Sequence, residues 1–244
     1  MPQGKLEGYQ YTSQIMRQER KLTVYTPVAY ERGSDGCGLL IMFDGRETAY
    51  DAKEIPVPLI LDNLIAAQTI PPIVVLLVHQ VDREKELRCS EPFADFVAKE
   101  LVPWMETHYG IGAKPHRVIV SGASLGGLMS AYCAYRHSER IGNVLSMSGS
   151  VNQNPLGEAE NAEPGWLIRE YVVGPPRDVQ FFLPIGQFEN HFPQNAVVET
   201  RRFRDVLRAK GYAVEYREFS GQHDCVGWRG AFVDGLIRLT SSWK

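Results

Sequence analysis

Gly122-Ala123-Ser124-Leu125-Gly126 constrains the fold of this chain more than any other stretch, because a Gly-x-Ser-x-Gly pentapeptide here joins two segments of opposite character. Val118-Ile119-Val120 before it is a β-branched apolar run suited to a buried strand, and Gly127 to Ala134 after it carries the small and apolar residues of a packed helix. Ser124 is therefore expected on a sharp strand-to-helix turn, a nucleophile elbow, with its backbone strained and its hydroxyl presented at the edge of a sheet. Both flanking glycines, Gly122 and Gly126, are expected because a Cβ at either position would collide with the neighbouring strand or helix.

The same alternation of strand and helix runs along the chain. Apolar, β-rich runs occur at Leu22 to Tyr25, Leu39 to Phe43, Ile73 to Val78, Val118 to Val120, Val144 to Met147, Val179 to Leu183 and Ala213 to Phe219. Near-continuous hydrophobic strands separated by helical segments predict a doubly wound, mostly parallel α/β sheet with helices on both faces. The apolar-polar alternation of Ala213 to Phe219 places that strand nearer an edge. Phe93 to His108 and Ala196 to Lys210 read as helices with one buried face, and Gly211 as the cap of the second. Val151 to Pro164, rich in Asn, Gln, Pro, Gly and Glu, reads as a loop or cap at the catalytic edge. At 244 residues the length suits one α/β domain spanning 1–244.

Composition narrows the classes of partner. A net charge of −3, with 44% hydrophobic and 23% charged residues, argues against nucleic acid or an anionic membrane surface. Met1 to Gly8 lacks a basic-then-apolar leader, so the expectation is a cytoplasmic protein, or a periplasmic or secreted one if a signal peptide has been removed from a longer precursor. Cys37, Cys89, Cys133 and Cys225 show neither Cys-x-x-Cys pairing nor metal-ligand spacing, which predicts free thiols and no structural metal, and hydrolysis by an activated serine would require no cofactor.

A serine hydroxyl needs an imidazole to accept its proton and a carboxylate to orient that imidazole. In an elbow of this kind the chain order is serine, acid, histidine. His191 and His223 lie downstream, and His223 is the better placed, in the loop after the last strand. His79, His108, His116 and His137 suit surface or hydrogen-bonded structural roles. Glu189 lies just past the strand ending at Ile185, where a parallel sheet collects its functional groups. Asp178 lies at the wrong end of that strand, Asp205 falls within a helix, and Asp224 adjoins the base and cannot easily reach its Nδ1. A Ser-His dyad without an acid is the competing arrangement. For the oxyanion hole, the backbone N–H of Leu125 and that of Arg46, after Phe43-Asp44-Gly45, are the candidates.

Several segments together resemble the enterochelin (enterobactin) esterases within the esterase D group of α/β-hydrolases. Gly221-Gln222-His223-Asp224-Cys225-Val226-Gly227-Trp228-Arg229-Gly230 is similar to the family segment Gly-x-His-Asp-x-x-x-Trp-Arg. Tyr25-Thr26-Pro27, Phe43-Asp44-Gly45, Arg83 to Leu87 followed by Cys89, and Ser148-Gly149-Ser150 support the likeness. The resemblance implies an α/β-hydrolase fold, Ser124, Glu189 and His223 as the triad, and hydrolysis of the trilactone of a catecholate siderophore. A ferric triscatecholate is anionic and aromatic, so Arg83, Arg88, Trp228 and Arg229 are the expected substrate contacts. Cytoplasmic members usually carry an additional N-terminal domain, and this chain begins about where the catalytic domain would. Single-domain relatives that cleave feruloyl or acetyl esters supply the alternative substrates. A non-catalytic binding module on the same fold is the alternative from another class.

Overall fold

The computed structural model describes residues 3–33, 36–45, 55–156, 164–189 and 195–243. Its strands are β1 (Lys5–Ser13), β2 (Gln18–Thr26), β3 (Gly38–Met42), β4 (Ile73–Val78), β5 (Val118–Ala123), β6 (Asn143–Met147), β7 (Gln180–Gly186) and β8 (Ala213–Phe219). They form one eight-stranded sheet in the order β1-β2-β4-β3-β5-β6-β7-β8. β1 and β2 pair antiparallel, as do β2 and β4, and every pairing from β4 through β3, β5, β6 and β7 to β8 is parallel.

The helices are α1 (Val57–Ala66), α2 (Arg83–Leu87), α3 (Glu91–Asp95), α4 (Val102–Tyr109), α5 (Leu125–Arg136), α6 (Trp166–Val173), α7 (Ala196–Ala209) and α8 (Cys225–Leu239). The period of two along each strand divides the core between the two sheet faces. Leu39, Ile41, Val118, Val120, Val144 and Phe181 pack with residues of α3 to α7, including Phe93, Leu128, Met129, Tyr171 and Phe203. Leu40, Met42, Ile119, Leu145 and Phe182 pack on the other face with Leu61 of α1 and with Phe232 and Leu236 of α8. Each fully buried side chain of this size contributes about 1.5–3 kcal/mol. This is the expected doubly wound layout, with the strand C-termini converging on one edge.

Two elements differ from the expected pattern. β1 is half exposed along its length and carries Lys5, Glu7 and Gly8, so its own residues hold little apolar signal. Its pairing with β2 over the whole register Lys5↔Thr26 to Ser13↔Gln18 makes it a strand. The helix expected over Phe93 to His108 is interrupted, with α3 passing through a π-helical segment, Phe96–Leu101, into α4. Pro103 explains this, because it has no N–H to donate to Lys99 and its ring crowds that carbonyl. The widened turn accommodates the ring, and the Val102 N–H reaches back to Val97 O.

The edge strand and the cap of α7 fall where the sequence places them. β8 lies at the sheet edge. Gly211, at φ +85°, ends α7 with Gly211 N–H on Arg208 O and Tyr212 N–H on Leu207 O, the paired bonds of a Schellman cap. Of the loop over Val151 to Pro164, residues 157–163 lie outside the described residues, and the Asn154 side chain accepts from Trp166 N–H at 2.8 Å. None of the four cysteines is in a disulfide. Burial pushes the Cys89 and Cys133 thiols up, so neither ionises near neutral pH. Among the described residues no helix is long and apolar enough to cross a membrane, and no cluster of His, Cys, Asp and Glu is arranged to hold a metal ion.

Candidate active site

Ser124 sits between the last residue of β5 and the first of α5 with φ 57° and ψ −121°, a region that non-glycine residues seldom occupy. Neighbouring backbone holds it there. Ser124 N–H donates to Met147 O at 3.0 Å, while Ser124 O accepts from Ser150 N–H at 3.0 Å and Leu128 N–H at 3.1 Å. A Cβ on Gly122 would lie 2.7 Å from Cα and C of Gly126, so Gly122 has no room for a side chain. Gly126 departs from the expectation. A Cβ there would meet only Asp44 Oδ2 at 3.5 Å and Phe43 Cβ at 3.6 Å, which are ordinary contacts. The second tight position is Gly127, whose Cβ would lie 2.8 Å from Gly149 Cα, because the start of α5 packs on the backbone after β6.

Glu189, three residues past the end of β7, is 1% exposed. Its Oε2 lies 2.7 Å from His223 Nδ1, and its Oε1 accepts from Ser148 Oγ at 2.6 Å and from Gly186 N–H at 2.7 Å. His223, in the loop between β8 and α8, stands edge-on to Trp228 with ring centroids 4.8 Å apart. The Trp228 indole N–H donates to Ser148 Oγ at 2.8 Å. Asp224, passed over as the acid, caps α8 by accepting from Val226 N–H and Gly227 N–H at 3.0 Å each. This cap fixes where the helix begins and so where His223 stands. Ser124 Oγ lies 3.2 Å from Ser150 Oγ. His79, His108 and His137 each make a local hydrogen bond, to Thr23, to the Trp104 carbonyl, and to Asp95 with Glu139. His191 lies outside the described residues.

On the other side of the elbow, Leu125 is the first residue of α5, where an N–H has no intrahelical acceptor and the helix dipole favours negative charge. Arg46 lies outside the described residues. The turn before it is tightly placed, with Asp44 at φ 57° donating its N–H to Gln80 Oε1 at 2.9 Å. A Cβ on Gly45 would meet Leu77 C at 2.7 Å and Val78 N at 2.8 Å, so this turn lies against the end of β4. Of the four expected substrate contacts, Arg83 forms a two-pronged pair with Asp44 at 2.8 and 2.9 Å. Arg88 bonds Glu84 and, at 2.8 Å, Gln153 Oε1 of the segment after β6. Arg229 is partly buried next to Trp228 on α8.

The partners that hold these groups leave little signal in the sequence. Ser148 and Ser150 follow a strand, and their Ser-Gly-Ser spacing was a sign of likeness without a role. Arg20, fully buried on β2, donates to both oxygens of Glu86 at 2.6 and 2.7 Å and thereby anchors α2, from which Arg83 and Arg88 project. A single arginine in a strand pattern offers no signal of its buried partner 66 residues away.

Comparison with known proteins points to esterases. The chain is 29% identical over 242 residues to the iron(III) enterobactin esterase of Dickeya dadantii, covering 96% of this chain and 54% of that protein. It is 28% identical over 241 residues to the iron(III) enterobactin esterase of Escherichia coli K12, covering 94% of this chain and 56% of that protein. The chain thus spans little more than half the length of these relatives. A crystal structure of the Shigella flexneri enterobactin esterase, determined in the presence of enterobactin, superposes with a TM-score of 0.84 at 26% identity, covering 98% of this chain and 59% of that one. A ferulic acid esterase structure superposes over 100% of both chains with a TM-score of 0.79 at 16% identity, a likeness of fold. The Esterase family model matches residues 13–239, an elbow serine and a buried Glu-His pair lie within that span, and the chain belongs to the Esterase family.

Proposed function

We propose that the protein is a serine esterase that hydrolyses carboxylic esters by acyl transfer, with the trilactone of a catecholate siderophore as its substrate. The observation that carries this reading is the strained elbow serine at the end of β5, set on the same sheet edge as a buried Glu189 joined to His223 Nδ1 at 2.7 Å. Ser124 Oγ attacks the ester carbonyl as His223 Nε2 takes its proton. Glu189 keeps the imidazole in the tautomer with Nδ1 protonated and stabilises the imidazolium that forms. The N–H groups of Leu125 and Arg46 receive the oxyanion, each such donor being worth about 3–4 kcal/mol in the transition state. His223 then protonates the departing alcohol, and a water activated by the same base releases the acyl group. Likeness to enterobactin and salmochelin esterases supports the substrate class. Arg83 and Arg88, at the start of α2 and just after it, would meet an anionic catecholate by exchanging their ion pairs with Asp44 and Glu84.

The test is product release from a ferric catecholate trilactone, with a feruloyl ester and an acetylated sugar in parallel, using wild type and Ser124→Ala. Preferential, Ser124-dependent cleavage of the trilactone is expected. Cleavage of the simple esters with an inert trilactone overturns the substrate and keeps the chemistry, and loss of neither activity in Ser124→Ala overturns both.

A further inference from the structure

We propose that Ser148 and Trp228 are positioning residues for the Glu189-His223 pair, forming a hydrogen-bond chain of fixed direction that ends on the Glu189 carboxylate facing the imidazole. The inference rests on the esterase reading above and assigns Trp228 a role other than the expected contact with substrate. Three elements meet at this point: the turn after β6 supplies Ser148, the loop after β7 supplies Glu189, and α8 supplies Trp228.

The direction of the chain follows from the chemistry of its members. An indole N–H can only donate, so at 2.8 Å the Ser148 oxygen must accept from Trp228. The hydroxyl has one hydrogen, and the acceptor at 2.6 Å is Glu189 Oε1. Gly186 N–H donates to the same oxygen at 2.7 Å. Oε1 is thus held by two donors, and Oε2 is left to face His223 Nδ1 at 2.7 Å. Every hydrogen points towards the carboxylate, so Nδ1 carries its proton and Nε2 presents the lone pair that Ser124 requires. A carboxylate only 1% exposed depends on such donors to replace lost water.

Backbone placement reinforces the chain. Ser148 is 0% exposed and is held at φ 44°, a strained value for serine. Its N–H donates to Pro184 O of β7 at 2.8 Å, which ties the turn after β6 to the strand that carries the acid. Trp228 contributes twice, since its ring also stands at 86° to the His223 ring and limits how far the imidazole can tilt.

The experiment compares wild type, Ser148→Ala, Trp228→Phe and the double variant on a p-nitrophenyl ester, together with the downfield proton NMR signal of His223 Nδ1–H. Phenylalanine keeps an aromatic ring beside His223 and removes the indole N–H. Ser148→Ala is expected to lower kcat about 10- to 100-fold, the range for one hydrogen bond to a charged group, with KM changed less than about twofold. Trp228→Phe is expected to lower kcat about 3- to 10-fold, and the double variant to match Ser148→Ala within about twofold, because Trp228 acts through Ser148. The Nδ1–H signal is expected to broaden or shift in both single variants. A raised KM at unchanged kcat, losses that multiply in the double variant, or an unaltered Nδ1–H signal would overturn the proposal. Should Ser148→Ala fail to fold, Trp228→Phe decides by the same kcat, KM and NMR criteria. Labelling of wild-type Ser124 by a fluorophosphonate separates the two claims: an unlabelled, inactive wild type refutes the esterase reading, whereas a labelled, active one with unaltered variants refutes only the positioning roles.

Discussion

Replacing the glycines around Ser124 by alanine one at a time should give stability changes of opposite sign, although Gly122 and Gly126 belong to the same pentapeptide. At Gly122 the new Cβ would stand 2.7 Å from two backbone atoms of Gly126, well inside the 3.4 Å at which ordinary contact begins. No side chain can rotate away, so β5 and the start of α5 must separate. Overpacking of this kind costs about 1–3 kcal/mol, a fall in Tm of roughly 2–12 °C for a chain of this size. At Gly127 the obstruction is Ser146 Oγ at 2.7 Å together with Gly149 Cα at 2.8 Å, the second again backbone, and the same loss is expected. At Gly126 the methyl group would make contacts no closer than 3.5 Å, and it lies within a helix, where alanine is favoured over glycine by up to about 1 kcal/mol. Gly126→Ala should therefore be neutral or more stable. Urea denaturation followed by circular dichroism, with the m-value checked for constancy, measures all three. A loss in Gly126→Ala as large as that in Gly122→Ala would refute the steric account of the elbow.

Ser124→Gly should be inactive yet more stable by about 1 kcal/mol, since glycine occupies φ 57° without the strain that serine carries; an unchanged or lowered Tm would contradict the strain assignment. Arg20→Met leaves Glu86 buried without its partner and should cost about 3–5 kcal/mol, while Arg20→Met with Glu86→Leu should recover most of that loss in urea denaturation. Equal losses in the single and double variants would show that the pair itself, and not the stranded carboxylate, matters. Asp224→Ala removes the side chain that caps α8 and should cost about 1 kcal/mol and lower kcat through displacement of His223, whereas Asp224→Asn, which keeps a capping oxygen, should retain most of both; equal loss in the two would contradict the capping role.

The parallel centre of the sheet was legible because β3, β4, β5 and β6 are buried on both faces and so read as short runs dominated by apolar residues. β1 was not, since one-sided burial and hydrogen bonds to β2 make it a strand and neither leaves an apolar run. Ser124, Glu189 and His223 could be picked as candidates from chain order and from position after strands, because an elbow and a parallel sheet edge prescribe where such groups fall. The roles of Gly126 and Gly127 were not legible, because only backbone coordinates tell which glycine meets the next turn of chain. Nor was Ser148 as a partner of Glu189, or Trp228 as a partner of Ser148. Their hydrogen bonds span 41 and 80 residues and depend on how the turn after β6 and α8 pack, for which a sequence offers no local pattern.

The most direct test of the central claim is reaction of the native protein with a fluorophosphonate, followed by mass spectrometry of the digested chain. The account predicts one phosphonyl adduct, on Ser124, formed in wild type and lost in Ser124→Ala and in His223→Ala. An adduct on another residue, or a Ser124 that stays unmodified in the folded protein, would contradict it.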